Sequence, residues 1–312
     1  MNRITLGYSV DIHQHLWPEP LLNALAARHD PPMLGRGAGG WALRLAGEPE
    51  SAVDLADHDP DKRAALAEAD GLACALVAPS IPLGIEALPA AEAEPLLAAY
   101  HDGVAALPAP FRAWAAVGLA APDPAALSGL LDRGFAGACV AADALAGPAG
   151  YEHLGPVLET LERRDAPLLI HPGRVPSPPP AGAPRWWAAL VDYTATMQTA
   201  WYAFAVWGRP AHPRLRVCFA MLAGLAPLHR ERLQARGGEV VRDTGVFLDV
   251  SSYGLRAVDA VLREIGVDQL VYGSDRPVVA ARDLSLGDAV WAALRERNPT
   301  RLLGAMSMEM AV

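Results

Sequence analysis

Short apolar runs alternate along the chain with stretches whose apolar residues recur at helical spacing. The runs are "VDIHQHLWP" from Val10, "LACALVAPS" from Leu72, "FRAWAAVGL" from Phe111, "FAGACVAA" from Phe135, "APLLIHP" from Ala166, "RLRVCFAML" from Arg214, "GVFLDVSS" from Gly245 and "VDQLVYGSD" from Val267. They are continuous rather than alternating, the pattern of strands covered on both faces. Between them, Asp59-Pro60 and Asp123-Pro124 open helical patterns that Gly71 and Gly134 close. Asp at the N-cap accepts free backbone N–H groups, Pro suits the first turn, and Gly takes the left-handed turn past the end. Strand followed by helix, eight times over, predicts an α/β chain folded as a (β/α)8 TIM barrel, a single domain over residues 1–312. A doubly wound open sheet is the competing arrangement. It loses its main support because no GxGxxG follows the first strand and no GxxxxGK[ST] occurs.

Two segments break the rhythm, giving insertions after strands 1 and 5: Asp30 to Ala56, with a Pro pair and a Gly cluster, and Pro172 to Pro184, crowded with prolines. Both follow strands and so lie at the C-terminal face, where a barrel carries its active site. They are expected to be lids, pocket walls or passive loops.

Composition narrows the partners. With 312 residues and 52% hydrophobic content the chain can bury a large core. The net charge of −9 arises from 35 acidic and 26 basic residues without basic runs, so no nucleic-acid partner is expected. Cys74, Cys139 and Cys218 lie in separate apolar segments without CxxC spacing, which predicts buried free thiols in a reducing compartment. No secretory pattern precedes Val10, so the protein reads as cytoplasmic. Ala188 to Trp207 has membrane-spanning length, but Asp192, Thr194, Thr196, Gln198 and Thr199 would be costly in hydrocarbon, so an amphipathic helix and no membrane partner are expected.

The candidate chemistry begins in the first strand. Side chains alternate along a strand, so Asp11, His13 and His15 are expected on one face, with Ile12 and Gln14 on the other. Two imidazoles at this spacing fit a metal site or a packed core about equally. His171 ends the fifth strand and Asp275 the eighth. Closure places strand eight beside strand one, so His13, His15 and Asp275 can meet, with His171 reaching across the mouth. Three histidines and one carboxylate suit one divalent ion, Zn²⁺ first, with Mn²⁺, Fe²⁺ or Co²⁺ as alternatives. Alone, Asp275 before Pro277 would read as a turn-capping residue.

In this order, "DIHQH", "IHPG", "HPRLRVCFAMLAGLAP", "VFLDVSS" and "GSDRP" resemble the amidohydrolase superfamily, in particular its amidohydrolase-2 branch with aminocarboxymuconate-semialdehyde decarboxylase. The resemblance spans nearly the whole chain. It implies a (β/α)8 barrel and one divalent metal held by His13, His15, His171 and Asp275. Relatives with two metals bridge them through a carboxylated lysine or a glutamate on the fourth strand. Here that strand reads "GFAGACVAA" and the only lysine is Lys62, so a single metal is expected. The sequence departs from the pattern at Met221, where the branch carries a histidine after the sixth strand. A thioether neither donates a hydrogen bond nor exchanges a proton.

Three functions follow. In the first, the metal lowers the pKa of a bound water toward ~7, and Asp275, with His171 beside it, serves hydrolysis of an amide, lactone or ester of a small molecule. In the second, the same site decarboxylates a small unsaturated or aromatic acid without oxidation, with Arg174 and Arg276 available to hold a carboxylate. In the third, the replacement at Met221 marks a re-purposed site or a non-catalytic binding protein. Trp186, Trp187, Met221, Tyr193 and Tyr253 are expected near the substrate pocket, with helix packing or a subunit interface as the alternative for the aromatics. The Ala188–Trp207 helix has few charges to expose, so a second copy is expected to cover it. Light scattering on the purified protein should therefore give the mass of a homodimer, and a clean monomer would refute that expectation.

Overall fold

The computed structural model describes residues 9–304 apart from 38, 47, 175–179, 240–241 and 281–283. Its eight parallel barrel strands are Val10–Gln14, Cys74–Val77, Phe111–Ala113 continued by Ala115–Ala116, Ala138–Ala141, Leu168–His171, Val217–Phe219, Val246–Asp249 and Leu270–Val271. Each coincides with one of the apolar runs. Adjacent strands pair in sequence order, and Trp114 carries the sheet through the broken third strand, its N–H donating to Val77 O while Ala115 N–H donates to Gly137 O. The eighth strand returns to the first: Ile12 N–H donates to Tyr272 O at 2.9 Å, and Asp275 N–H donates to His13 O at 2.9 Å. The sheet is a closed (β/α)8 barrel.

Every strand sends an apolar side chain to the barrel interior. Ile12, Leu76, Trp114, Cys139, Leu169, Cys218, Phe247 and Val271 form one buried cluster, and the Trp114 indole N–H crosses it to donate to Ile12 O at 2.8 Å. All three cysteines are free and buried, as expected. A second, larger cluster fills the space between sheet and helices. The helix starts are also as read from the sequence: Asp59 caps Pro60–Ala69 and Asp123 caps Pro124–Asp132, each side chain accepting two backbone N–H groups. Gly71 and Gly134 stand beyond the ends with positive φ.

The insertion after strand one is more regular than expected. Met33–Gly37, Gly40–Arg44 and Ser51–Val53 form a three-stranded antiparallel sheet, so the Gly cluster serves a hairpin rather than an irregular loop. The insertion after strand five lies partly outside the described residues. It leads into one helical run, Ala188–Asp192, Tyr193–Ala203, Phe204–Gly208 and Arg209–Ala211, whose first and third segments are π-helical. Leu190, Val191, Val206 and Trp207 are exposed on it. No helix among the described residues is long and apolar enough to cross a membrane.

After the sixth strand the backbone makes a left-handed turn. Met221, Leu222, Ala223, Gly224 and Leu225 have φ of 52, 48, 52, 60 and 64°. Left-handed geometry costs each non-Gly residue about 1–2 kcal/mol, so surrounding contacts must impose it. The helix Tyr193–Ala203 supplies them: Gln198 Nε2 donates to Gly224 O at 2.7 Å and the Tyr202 hydroxyl donates to Ala226 O at 3.2 Å. A Cβ on Gly224 would stand 2.6 Å from Thr194 O, a backbone atom that cannot swing aside. Gly224→Ala should therefore destabilise the protein by roughly 2–4 kcal/mol, read as a lowered thermal midpoint, whereas an unchanged midpoint would contradict this tight packing.

Candidate metal centre

The first strand does not keep strict alternation at its end. Its pairing with the second strand shifts between Asp11 and Gln14, an irregularity that re-aims the side chains beyond it. Ile12 therefore enters the barrel interior with Val10, while His13 and His15 turn to the mouth and Asp11 joins Gln14. This corrects the expectation that Asp11 shares a face with the histidines. Asp11 instead accepts N–H groups from His13 at 3.1 Å and Ser274 at 3.0 Å, and the Gln14 amide at 2.8 Å, tying strand one to strand eight below the mouth. Arg63, buried in the helix Pro60–Ala69, completes the fastening: it donates to His15 O at 2.7 Å, to the Gln14 side chain and to Arg276 O.

At the mouth the four expected groups converge. One ligand atom from each of His13, His15, His171 and Asp275 lies within 4.8 Å of the others, and all four residues are buried. His13 Nε2 is 3.2 Å from His15 Nε2, and Asp275 Oδ1 is 3.2 Å from His15 Nε2 and 3.8 Å from His13 Nε2. The three rings pack edge to face, with centroids 4.9, 4.9 and 5.1 Å apart.

The other ring nitrogens fix what this cluster can hold. His15 Nδ1 meets Ala78 O at 3.1 Å and His171 Nδ1 meets Pro172 O at 2.8 Å. A carbonyl only accepts, so both Nδ1 atoms carry hydrogens, and in the neutral rings both Nε2 lone pairs point at the cluster. His13 Nδ1 donates to Asp249 Oδ2 at 2.7 Å. Three imidazoles with Nδ1 anchored and Nε2 convergent beside a carboxylate are the donor set of a divalent-ion site, and the residues present fit such an ion.

The electrostatics of these groups point the same way. Burial disfavours a charged His13, but Asp249, Asp275 and Asp11 outweigh it and push the imidazole up to about 9. Asp275 is also buried, yet the bond to His15 and the charges of His13, His15 and His171 hold its carboxyl well below the usual range. Burial and the neighbouring imidazoles press His171 well below its ordinary value. The carboxylates thus draw positive charge into the centre of the cluster, the place a cation would take.

Asp249, at the end of strand seven, organises the group from behind. Its Oδ1 accepts from Met221 N–H at 3.0 Å and from the Ser251 N–H and hydroxyl at 2.9 and 2.5 Å, while Oδ2 holds His13. The Ser252 hydroxyl donates to Asp275 Oδ2 at 3.0 Å. Met221, Ser252 and Asp275 all have positive φ, so left-handed backbone gathers at the rim of strands six to eight, as is common where a site is held against local preference.

The other expected site residues are placed as follows. Met221 reaches the group through its backbone N–H. Arg174 lies at the rim after strand five, its stem against Gly84. Arg276 turns away from the cluster, its guanidinium 2.8 Å from Asp70 Oδ2. Tyr253 is half-buried and hydrogen-bonded to Thr194. Trp186 is 56% exposed and stacks on Trp187 at 6.2 Å. Tyr193 is half-buried, with its phenol raised by desolvation and by Glu48, Asp192 and Asp275, which places it between the strand-one insertion and the cluster.

No protein-family model matches the sequence, and neither does any curated protein. Solved structures match in three dimensions. An IDCase from Metarhizium anisopliae is 18% identical with a TM-score of 0.75, covering 95% of this chain and 97% of that one. The 5-carboxyvanillate decarboxylase of Novosphingobium aromaticivorans, complexed with manganese and 4-hydroxy-3-methoxy-5-nitrobenzoic acid, is 17% identical with a TM-score of 0.74, covering 96% and 97%. A 2,6-dihydroxybenzoate decarboxylase from Rhizobium is 19% identical with a TM-score of 0.67, covering 95% and 98%. The chain shares their fold. That likeness agrees with the barrel expected from the sequence and extends over nearly the full length of each chain.

Asp249 orients His13 without joining the ligand set. Asp249→Asn should weaken binding of Mn²⁺ or Zn²⁺ by about 10–100-fold, measured by metal titration, with the fold retained by circular dichroism. Unchanged affinity would remove Asp249 from this role.

Proposed function

We propose that the chain is a mononuclear, divalent-metal enzyme that decarboxylates a small aromatic or unsaturated carboxylic acid without oxidation. The observation that carries the reading is the buried His13, His15, His171 and Asp275 cluster, with all three Nδ1 atoms anchored, at the C-terminal mouth of a closed barrel. The decarboxylases that share the fold support this reaction over hydrolysis.

The four residues would hold the ion through three Nε2 atoms and Asp275 Oδ1, and a bound ion supplies positive charge that orients the acid's oxygens and draws electrons from the reacting bond. Manganese is favoured over zinc by its presence in the Novosphingobium enzyme. Asp275 is the proton carrier. Ionised in the cluster and steadied by Ser252, it can take the proton of an acidic hydroxyl on the substrate and return it to the ring carbon. As that carbon gains its hydrogen, the bond to the carboxylate breaks and carbon dioxide leaves. The Ser252 hydroxyl holds the other oxygen, Oδ2, at the mouth, and the buried surroundings of Asp275 keep solvent protons from competing.

The metal-loaded protein incubated with 2,6-dihydroxybenzoate and 5-carboxyvanillate is expected to release carbon dioxide, and Asp275→Asn at matched metal content should slow release by about 10²–10⁴-fold. Turnover of esters or lactones with no carbon dioxide from any acid would sink the reading.

A further inference from the structure

One buried acid at the barrel mouth has no part in the metal group. Glu86 lies in the 3-10 turn Ile85–Ala87, which follows the second strand, and is 4% exposed. Its main-chain oxygen accepts Leu119 N–H at 2.6 Å, fixing the turn over the end of the third strand. Its side-chain Oε2 is buried without a hydrogen-bond partner. Such an atom costs about 1–3 kcal/mol, so it calls for a reason.

The neighbours of Glu86 come from the adjoining strand ends. Asp143 follows strand four and Arg174 follows strand five, and the charges of both act on its carboxyl. Two glycines make the room. A Cβ on Gly84 would overlap the stem of Arg174, and one on Gly173 would overlap the carboxylate of Asp143. Arg174 has no hydrogen bond or ion-pair contact among the described residues. The group adjoins the metal cluster: His15 is bonded to Ala78 O at the end of strand two, and Ala141 of strand four pairs in register with His171.

We propose that Glu86 and Arg174 form a second anchor for the substrate, binding an anionic oxygen at the end remote from the metal group, so that the enzyme selects small acids with a second acidic substituent. This rests on the reading of the cluster as the metal centre of an enzyme for carboxylic acids. Burial pushes the Glu86 carboxyl up to about 8, with Asp143 adding to the rise and Arg174 opposing it. Glu86 is therefore neutral at pH 7, and a neutral carboxyl has one O–H to donate. The Arg174 guanidinium beside it supplies the charge that an anion needs. Also facing Glu86 are Tyr100, from the helix Ala90–Ala105, and Cys139 of strand four, both kept uncharged by burial, and Asp143, raised by burial as well.

The test uses the manganese-loaded full chain, with calorimetric binding of benzoate compared with that of the three phthalate isomers, whose second carboxylate scans the rim. At pH 7 at least one isomer should bind ~10-fold or more tightly than benzoate. Glu86→Gln, which keeps a neutral donor, should preserve that ratio. Glu86→Leu and Arg174→Ala should bring it to about one, and Glu86→Leu should raise the thermal midpoint because an apolar side chain replaces an unsatisfied one. In the wild type the ratio should fall as pH rises through about 8, where the ionised carboxylate repels the anion, and it should stay level in Glu86→Gln. A phthalate preference that survives Glu86→Leu, or no preference in the wild type, would overturn the second anchor while leaving the metal centre standing. Failure of the wild type to bind either manganese or benzoate would overturn both.

Discussion

The hydrogen bond from Asp275 N–H to His13 O does two jobs at once: it belongs to the seam that closes strand eight onto strand one, and it brings the only carboxylate of the ligand set beside the paired imidazoles. Were the sheet open, His13 and Asp275 would stand on opposite edges. Closure is thus the condition for the site, and the buried fastenings behind it serve the same seam. Asp11 bonds to both strands from below, and Arg63 reaches His15 O and Arg276 O from the covering helix. These groups bury charge at some cost, which is borne where strand ends must be held in register.

Much of this was legible in the chain. Continuous apolar runs marked the eight strands because a parallel sheet covered on both faces leaves no polar alternation, and Asp-Pro with a trailing Gly marked two helices because backbone geometry at helix ends admits few residues. His13, His15, His171 and Asp275 were visible because each stands at the end of a run. The orientation of Asp11 was not. Alternation is a local rule, and the register shift after Asp11 arises from pairing with the second strand, a contact that no local pattern encodes.

Other supports left weaker signals. Asp249 ends the seventh run just as His171 ends the fifth, so its place at the rim could have been inferred, though not its bond to His13. Arg63 looks like any solvated residue of a polar helix, and only its burial reveals its use. Glu86 sits in a turn whose path depends on Gly84 and on the stem of Arg174, ninety residues on in sequence. Long-range packing of this kind is what periodicity cannot carry.

The left-handed turn at Met221 separates two duties that one residue usually shares. Its amide, aimed by the turn, donates to the Asp249 carboxylate and through it steadies His13, and this contact involves no side-chain atom of Met221 itself. The turn itself is gripped by Gln198 and Tyr202 from the neighbouring helix. Position 221 therefore works as a socket: the scaffold keeps the amide on station without calling on the side chain the residue carries. A barrel built this way can trade one chemistry for another at a single position without first dismantling the centre that binds the ion.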